Sequence, residues 1–173
     1  MEQMKRKLHP CTSSEPTDAS GYVRPMASPI LLCTDGSDEA LGALSAGLAL
    51  LGRDHELLLV TVTNGPDEGS LAGSGHAGAE LSPAEYDTLL AEADDAARAA
   101  ISKTQSELDL GTAEVHILGG DAGPAICRLA TGRSATAIVI GSRGRGILRR
   151  ALLGSVSDHV VRNAPCTVVV TRA

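Results

Sequence analysis

Residues 136–155 read TAIVIGSRGRGILRRALLGS, and this stretch decides the fold. An apolar run from Thr136 to Ile140 passes directly into a loop that begins at Gly141 and ends at the pair Gly154-Ser155. A short apolar run bounded by turn residues predicts a strand that is buried on both faces, as in a parallel sheet covered by helices. The stretch therefore favours an α/β fold with a parallel sheet covered by helices.

The flanking sequence alternates strand-like and helix-like segments. The other predicted strands lie at 30–34, 56–63, 112–118 and 166–171. The predicted helices run from about Asp38 to Leu51, from Ser82-Pro83 to Leu108, from about Pro124 to Thr131, and from Ser155 to Asn163. Short strands joined by helices indicate parallel strands with right-handed crossovers. The segment 112–118 alternates apolar and polar residues, which indicates an edge position or one wet face.

Two segments fall outside this alternation. Residues 1–27 hold several prolines and many Ser and Thr residues without a periodic apolar pattern, which predicts a disordered tail and leaves 28–173 as the domain. Residues 64–82 are rich in glycine and predict a flexible loop. The loop ends at Ser82-Pro83-Ala84-Glu85, where Ser82 is positioned to cap the following helix and Glu85 to complete a capping box.

The composition argues against several classes of function. The net charge of −6 disfavours binding to nucleic acid or to an anionic membrane. The chain has no Phe or Trp, so base-stacking and flavin-stacking surfaces are not expected. No apolar run is long enough to span a membrane, and none follows the basic residues Lys5-Arg6-Lys7 as in a secretory signal. The four cysteines lack metal-site spacing, and we expect reduced thiols in a cytoplasmic protein without a metal site.

Two loops carry the residue types that bind phosphate and nucleoside groups. Gly141 and Gly144 lack a Cβ, so the backbone can turn sharply and approach a ligand closely. Gly154 and Ser155 present the free N–H groups and the positive dipole end of the last helix, which favours phosphate. The first strand ends in the turn Asp35-Gly36-Ser37. Ligands of doubly wound sheets bind beyond the carboxyl ends of the strands, so both loops are candidate site elements.

The spacing Gly141-x2-Gly144-x9-Gly154-Ser155 resembles the signature of the ATP-binding universal stress proteins. The opening strand with its turn, 30–37, and the closing segment, 164–170, are also similar to that family, so the resemblance covers about residues 28–173. It implies a Rossmann-like, doubly wound sheet of five parallel strands in the order 3-2-1-4-5, with helices on both faces. It also implies binding of ATP or another adenine nucleotide with Mg²⁺, in a protein of stress response or signalling.

The same resemblance assigns the candidate site residue by residue. The adenosine half is assigned to Thr34 and Asp35, with an apolar contact to adenine from Val62. The ribose and phosphate path is assigned to Ile140, Gly141, Arg143 and Gly144. The phosphates are assigned to Gly154, Ser155, Val156 and Ser157. No catalytic residue is assigned.

Plainer interpretations stay open for some of these residues. The turn Asp35-Gly36-Ser37 can be a strand-to-helix connection alone, because Asp and Gly are common turn formers. Ser155 can cap its helix, because Ser155-x-x-Asp158 resembles a capping box. The alternative functions are a slow ATPase or phosphotransfer enzyme, and an interaction module without bound nucleotide.

The predicted last strand, 166–171, would lie at the border of the sheet. It is apolar and contains no Lys or Pro that would block pairing with another chain. We therefore expect a homodimer through antiparallel contacts between two copies of this strand, an arrangement that the family resemblance also implies.

Overall fold

The computed structural model describes residues 28–63, 82–142 and 153–172. Along them run β1 (Ile30–Cys33), α1 (Asp38–Leu51), β2 (Leu57–Thr63), α2 (Pro83–Leu108), β3 (Glu114–Gly119), α3 (Ala122–Gly132), β4 (Ala137–Gly141), α4 (Ser155–Asn163) and β5 (Thr167–Thr171). The predicted tail at 1–27 and the predicted loop up to residue 81 lie outside the described residues.

All five strands are parallel and lie in the order β3-β2-β1-β4-β5, which confirms the predicted fold class. Cys33 of β1 pairs with Val60 of β2 on one side and with Ile140 of β4 on the other. The chain leaves β1 toward β2 and returns to β4, so the strand order reverses between β1 and β4. This is the point where sheets of this kind bind ligands.

The core consists of two apolar layers, one on each face of the sheet. Ile30 and Leu32 of β1 pack on the face covered by α1 and α2. Leu31 and Cys33 pack on the opposite face, with residues of α3 and α4. All residues of β1 and β4 are buried, because strands covered on both sides must be apolar throughout.

β3 is an edge strand, as its alternating sequence predicts. Its burial is partial, and Val115 is 40% exposed. β3 begins two residues after the predicted start, since Gly111 and Thr112 belong to the preceding turn.

Among the described helices, α1 and α2 begin with a side-chain cap, whereas α3 and α4 begin without one. Ser37 caps α1 through Ala40 N–H, and Ser82 with Glu85 forms the predicted capping box at α2. At α4 the interpretation of Ser155 as the cap is wrong, because Gly154 occupies that position without a side-chain cap. The Asp158 carboxylate instead accepts from Arg162, one turn along the helix.

α2 is divided into two halves that differ in burial. Its buried residues begin only at Ala97, and every residue from Ser82 to Ala96 is exposed or half-buried. The first half of α2 therefore depends on its capping box and its own hydrogen bonds rather than on the core.

The described cysteines, Cys33, Cys127 and Cys166, are free thiols. Burial raises the pKa of the Cys33 thiol to about 12, so it behaves as a small apolar core residue. None of the helices in the described ranges is both long enough and apolar enough to cross a bilayer.

The packing of α1 on β4 predicts opposite effects for one substitution at two helix positions. A Cβ at Gly47 would lie 2.3 Å from Cγ1 of the buried Val139, whereas a Cβ at Gly132 meets no atom within 4 Å. Overpacking costs about 1–3 kcal/mol, and replacing a helical glycine with alanine gains up to about 1 kcal/mol. We expect Gly47→Ala to lower the free energy of unfolding in urea titrations and Gly132→Ala to leave it unchanged or raise it. Equal effects would contradict this packing.

Candidate functional site

The two predicted halves of the site lie side by side at the carboxyl edge of the sheet. Cys33 pairs with Ile140, so Thr34 and Asp35 continue beyond β1 next to Gly141 at the end of β4. Val62 lies two residues beyond Val60, the partner of Cys33, and therefore lies at the same edge. The structure thus brings these predicted residues together, while Arg143 and Gly144 lie outside the described residues.

The first turn of α4 is attached to the end of β4 by two hydrogen bonds. The N–H of Gly154 donates to the carbonyl of Ser142 at 2.8 Å. The hydroxyl of Ser157 donates to the carbonyl of Gly141 at 2.7 Å. These bonds position the N-terminus of α4 at the edge where β1 and β4 end.

The start of α4 presents backbone donors that the helix itself does not use. The first bond inside the helix runs from Asp158 N–H to Gly154 carbonyl. The N–H groups of Ser155, Val156 and Ser157 therefore have no acceptor within α4, as in any first helical turn. Ser155 is also exposed, and its hydroxyl makes no capping bond. This geometry suits an anion such as a phosphate group.

Ser157 contributes to this end of the helix in a way that sequence reasoning missed. Its side chain is buried, and its hydroxyl proton is used by the bond to Gly141. A hydroxyl has one proton to donate, so only the backbone N–H of Ser157 is left for an anion. The alternation of Ser155 and Ser157 in the sequence gives no sign of this division of roles.

Asp35 is oriented by its own turn. Its carboxylate oxygen Oδ1 accepts from the N–H of Ser37 at 3.0 Å and from the hydroxyl of Ser37 at 2.6 Å. The Ser37 hydroxyl in turn accepts from Ala40 N–H at 3.2 Å, which caps α1. The turn interpretation and the site interpretation of Asp35 are therefore compatible, since its half-buried carboxylate is held at the carboxyl edge of the sheet.

The hydroxyl of Thr34 is used inside the protein. Thr104 of α2 donates its proton to the carbonyl of Ala100 at 2.8 Å, so in the 3.0 Å contact between the two hydroxyls Thr34 is the donor. Thr34 also accepts from Gly36 N–H at 3.0 Å. Its side chain therefore shapes the turn that carries Asp35.

α2 holds this turn at two further points. Lys103 Nζ donates to the carbonyl of Gly36 at 3.1 Å and to Oδ1 of Asp38 at 2.7 Å. The hydrogen bond from Lys103 lowers the pKa of the Asp38 carboxyl. Gly36 has φ of +76°, and a Cβ there would lie 2.7 Å from Cβ of Ala100. Only glycine fits both the left-handed backbone and the close approach.

These contacts join residues about 65–70 positions apart in the chain, so local pattern could not reveal them. The one available signal was Thr104, a polar residue on the otherwise apolar face formed by Ala97, Ala100 and Ile101. A buried hydroxyl on such a face requires a partner. The partner's identity depends on tertiary structure alone.

The fold and the sequence pattern agree with one family of known proteins. A profile of the universal stress protein family matches residues 26–172. This chain belongs to the universal stress protein family. That assignment confirms the predicted resemblance to this family.

Relatives include bacterial universal stress proteins at about 30% identity. One from Staphylococcus saprophyticus is 30% identical over 145 residues, covering 83% of this chain and 82% of the relative. One from Mycobacterium tuberculosis is 30% identical over 155 residues, covering 89% of this chain and 52% of the relative. The chain thus spans about half the length of the mycobacterial relative.

Solved structures share the fold of this universal stress protein. The protein UspA from Lactobacillus plantarum matches with a TM-score of 0.65 at 25% identity, covering 86% of this chain and all of the other (100%). A family member from Arabidopsis thaliana, described with AMP bound, matches with a TM-score of 0.55 at 16% identity over 83% of this chain and 90% of the other. The second likeness concerns the fold alone.

The hydroxyl pair of Thr34, which follows β1, and Thr104 of α2 predicts a loss of stability on removal of one partner. Thr104→Val keeps the shape of the buried side chain but leaves the Thr34 hydroxyl without its acceptor, at a cost of about 1–3 kcal/mol. Urea titration measures the change. Thr131→Val is the matched control, because Thr131 makes the same bond to a carbonyl one turn back, at 3.0 Å, on an exposed surface. We expect less than about 0.5 kcal/mol there. Equal losses would show that the contact with Thr34 contributes nothing.

Proposed function

We propose that this universal stress protein binds an adenine nucleotide, ATP first among them, in the cleft between the carboxyl ends of β1 and β4. The proposal rests on one observation above all. The carboxylate of Asp35 and the unused N–H groups at the start of α4 are held at the same edge of the sheet, at its topological switch point. In this role the protein acts in a stress response or in signalling.

Each end of the cleft suits a different part of the nucleotide. The N–H groups of Ser155, Val156 and Ser157, with the Ser155 hydroxyl, donate to phosphate oxygens. The carboxylate of Asp35 accepts from ribose hydroxyls or from the adenine amine. Val62 and Ile140 supply apolar contacts. Gly141 and Gly154 allow the backbone to approach the ligand.

Arg143 and Gly144 extend the phosphate path in this proposal, on the strength of the glycine signature. Within the described ranges, no three His, Cys, Asp or Glu side chains are grouped so that they could hold a metal ion. We therefore propose that Mg²⁺ binds together with the nucleotide, through the phosphate oxygens.

The AMP described in the Arabidopsis protein makes adenine nucleotides the first ligands to test. Free thiols suit the proposed cytoplasmic location.

The N–H group of Ser155 can be removed without disturbing the helix. Ser155 is the first residue of α4, a position that proline favours. The residue before a proline must have an extended backbone, and Gly154 has one, with φ of −72° and ψ of 161°. Ser155→Pro therefore deletes the N–H and the hydroxyl, while Ser155→Ala deletes the hydroxyl alone. Hydrogen bonds to charged groups contribute about 1.5–3 kcal/mol, so Ser155→Pro should weaken ATP binding about tenfold or more in titration calorimetry.

Adenosine is the internal control for this pair of variants, because it lacks the phosphates that α4 would bind. Its affinity should stay the same in both variants, and Ser155→Ala, which removes one of the two donors, should weaken ATP less than Ser155→Pro does. Undisturbed ATP affinity in Ser155→Pro would remove α4 from the site. Failure of the unmodified protein to bind ATP, ADP, AMP or cyclic AMP at millimolar concentration would favour the interaction module without nucleotide. ATP turnover that disappears in Ser155→Pro would favour the slow ATPase.

We also propose that two copies pair through β5. The N–H of Ser142, beyond β4, donates to the carbonyl of Thr171, so Thr171 and alternate residues before it face β4. Val168 and Val170 therefore present their backbone groups on the outer side of the sheet. β5 contains no Lys or Pro. An edge of this kind favours pairing with a second chain.

Proline at Val168 should dissociate such a dimer, because it removes one outward N–H and leaves the bonds of Val169 to β4 in place. Sedimentation velocity should show monomer for Val168→Pro. The matched control is Val115→Pro at the opposite edge of the sheet, which should keep the mass of the unmodified protein. A dimer that survives Val168→Pro, or a monomeric starting protein, would exclude pairing through β5.

A further inference from the structure

The outer side of β3 has backbone groups without a strand partner in the described part of the chain. Gly120 N–H donates to the carbonyl of Thr63, and the Leu118 carbonyl accepts from the Thr63 hydroxyl, so Leu118 and Gly120 face β2. Backbone direction alternates along a strand. Val115, Ile117 and Gly119 therefore point their N–H and C=O groups away from the sheet, and β3 is the last strand on that side.

An apolar groove of about 430 Å³ runs beside this edge, between β3 and α3. Leu118 forms one side, and Ala125 and Leu129 form the other. Gly132 also lines the groove, and a Cβ there would meet no atom within 4 Å. The groove is therefore open next to the unpaired backbone, where side chains of an added strand would lie.

The groove carries one arginine that is neutralised and one that is not. Arg133 binds both carboxylate oxygens of Glu114 and also the carboxylate of Glu56. Arg128 is exposed and makes no ion pair with any residue in the described ranges. Arg133 lies between two carboxylates, so the positive charge that the groove offers to a ligand is the one on Arg128, whose complement is a carboxylate.

We propose that the edge of β3 and this groove bind an extended peptide segment of a partner protein, with an apolar side chain in the groove and a carboxylate paired with Arg128. Strand addition supplies main-chain hydrogen bonds, and a pocket for alternate side chains gives specificity. A second copy of this chain is a poorer occupant, because Glu114, the carboxylate on β3 itself, is already bound by Arg133 and His116. The site is separate from the proposed nucleotide cleft, so either proposal can fail alone.

The test is a selection of random heptapeptides displayed on phage against the full chain, with depletion on the Gly132→Leu variant. A Cβ at 132 meets no atom within 4 Å, so we expect leucine there to occupy the groove. Selected peptides are then synthesised, and fluorescence anisotropy measures their affinities. We expect peptides that combine Asp or Glu with a branched apolar residue. Gly132→Leu should weaken them about tenfold or more, which corresponds to loss of one buried apolar side chain.

Two further variants separate groove binding from general surface effects. Gly111→Leu places the same side chain in an exposed turn outside the groove, where a Cβ also meets no atom within 4 Å, and should leave the affinity within about twofold. Arg128→Glu should weaken acidic peptides about fivefold, as expected for an exposed ion pair. A peptide with Lys in place of its carboxylate should prefer Arg128→Glu over the unmodified protein.

Three results would overturn the proposal. One is that no selected peptide binds the unmodified protein more tightly than it binds Gly132→Leu. Another is selected peptides whose affinity is the same in Arg128→Glu. The third is concentration-dependent self-association that Val115→Pro abolishes, since it would assign the edge of β3 to a second copy.

Discussion

The hydrogen bond from the buried Ser157 hydroxyl to the carbonyl of Gly141 joins α4, whose first N–H groups suit an anion, to the end of β4. Both groups are inside the protein, and a buried polar group without a partner costs about 1–3 kcal/mol. The bond therefore fixes where α4 begins relative to β4. The second bond, from Gly154 N–H to Ser142, fixes the same turn from its other side. The unused N–H groups of α4 owe their position to these two contacts.

The opposite wall of the cleft depends on a different element. The turn with Asp35 is held by the hydrogen bond between Asp35 and Ser37 within the turn and by hydrogen bonds to Thr104 and Lys103 of α2. Gly36 allows the turn to lie against Ala100 at a distance that excludes any side chain. The two walls thus belong to opposite faces of the sheet. The parallel register of β1 and β4 places the two walls side by side.

Sequence reasoning reached the fold because the strands, helix starts and glycine spacing are local signals. The run at 136–140 and the capping box at Ser82 and Glu85 each specify an element through neighbours in the chain. The errors arose where the outcome depends on tertiary contacts. The sequence allows Ser155 as the helix cap, but the chain enters α4 through Gly154, whose N–H is bonded to Ser142.

The hydrogen bonds between α2 and the turn with Asp35 could not be predicted for the same reason. Thr34 forms its bond with a residue 70 positions away, and nothing in the local pattern identifies Thr104 as that residue. Assignments by family resemblance put Thr34 in the candidate site, and the structure places it beyond β1, next to Gly141 at the end of β4. They did not show that its hydroxyl is already used inside the protein.

The unequal burial of α2 has a consequence for how the protein opens. Its second half is held by the core and by the turn at Gly36, whereas its first half has little apolar area to lose. The free energy needed to unwind the first turns is therefore close to that of unwinding the end of a capped peptide helix. We expect amide protons there to exchange with solvent through local openings. Amide protons near Thr104 exchange only when the wall of the cleft itself comes apart. One continuous helix thus contains two regions of very different protection.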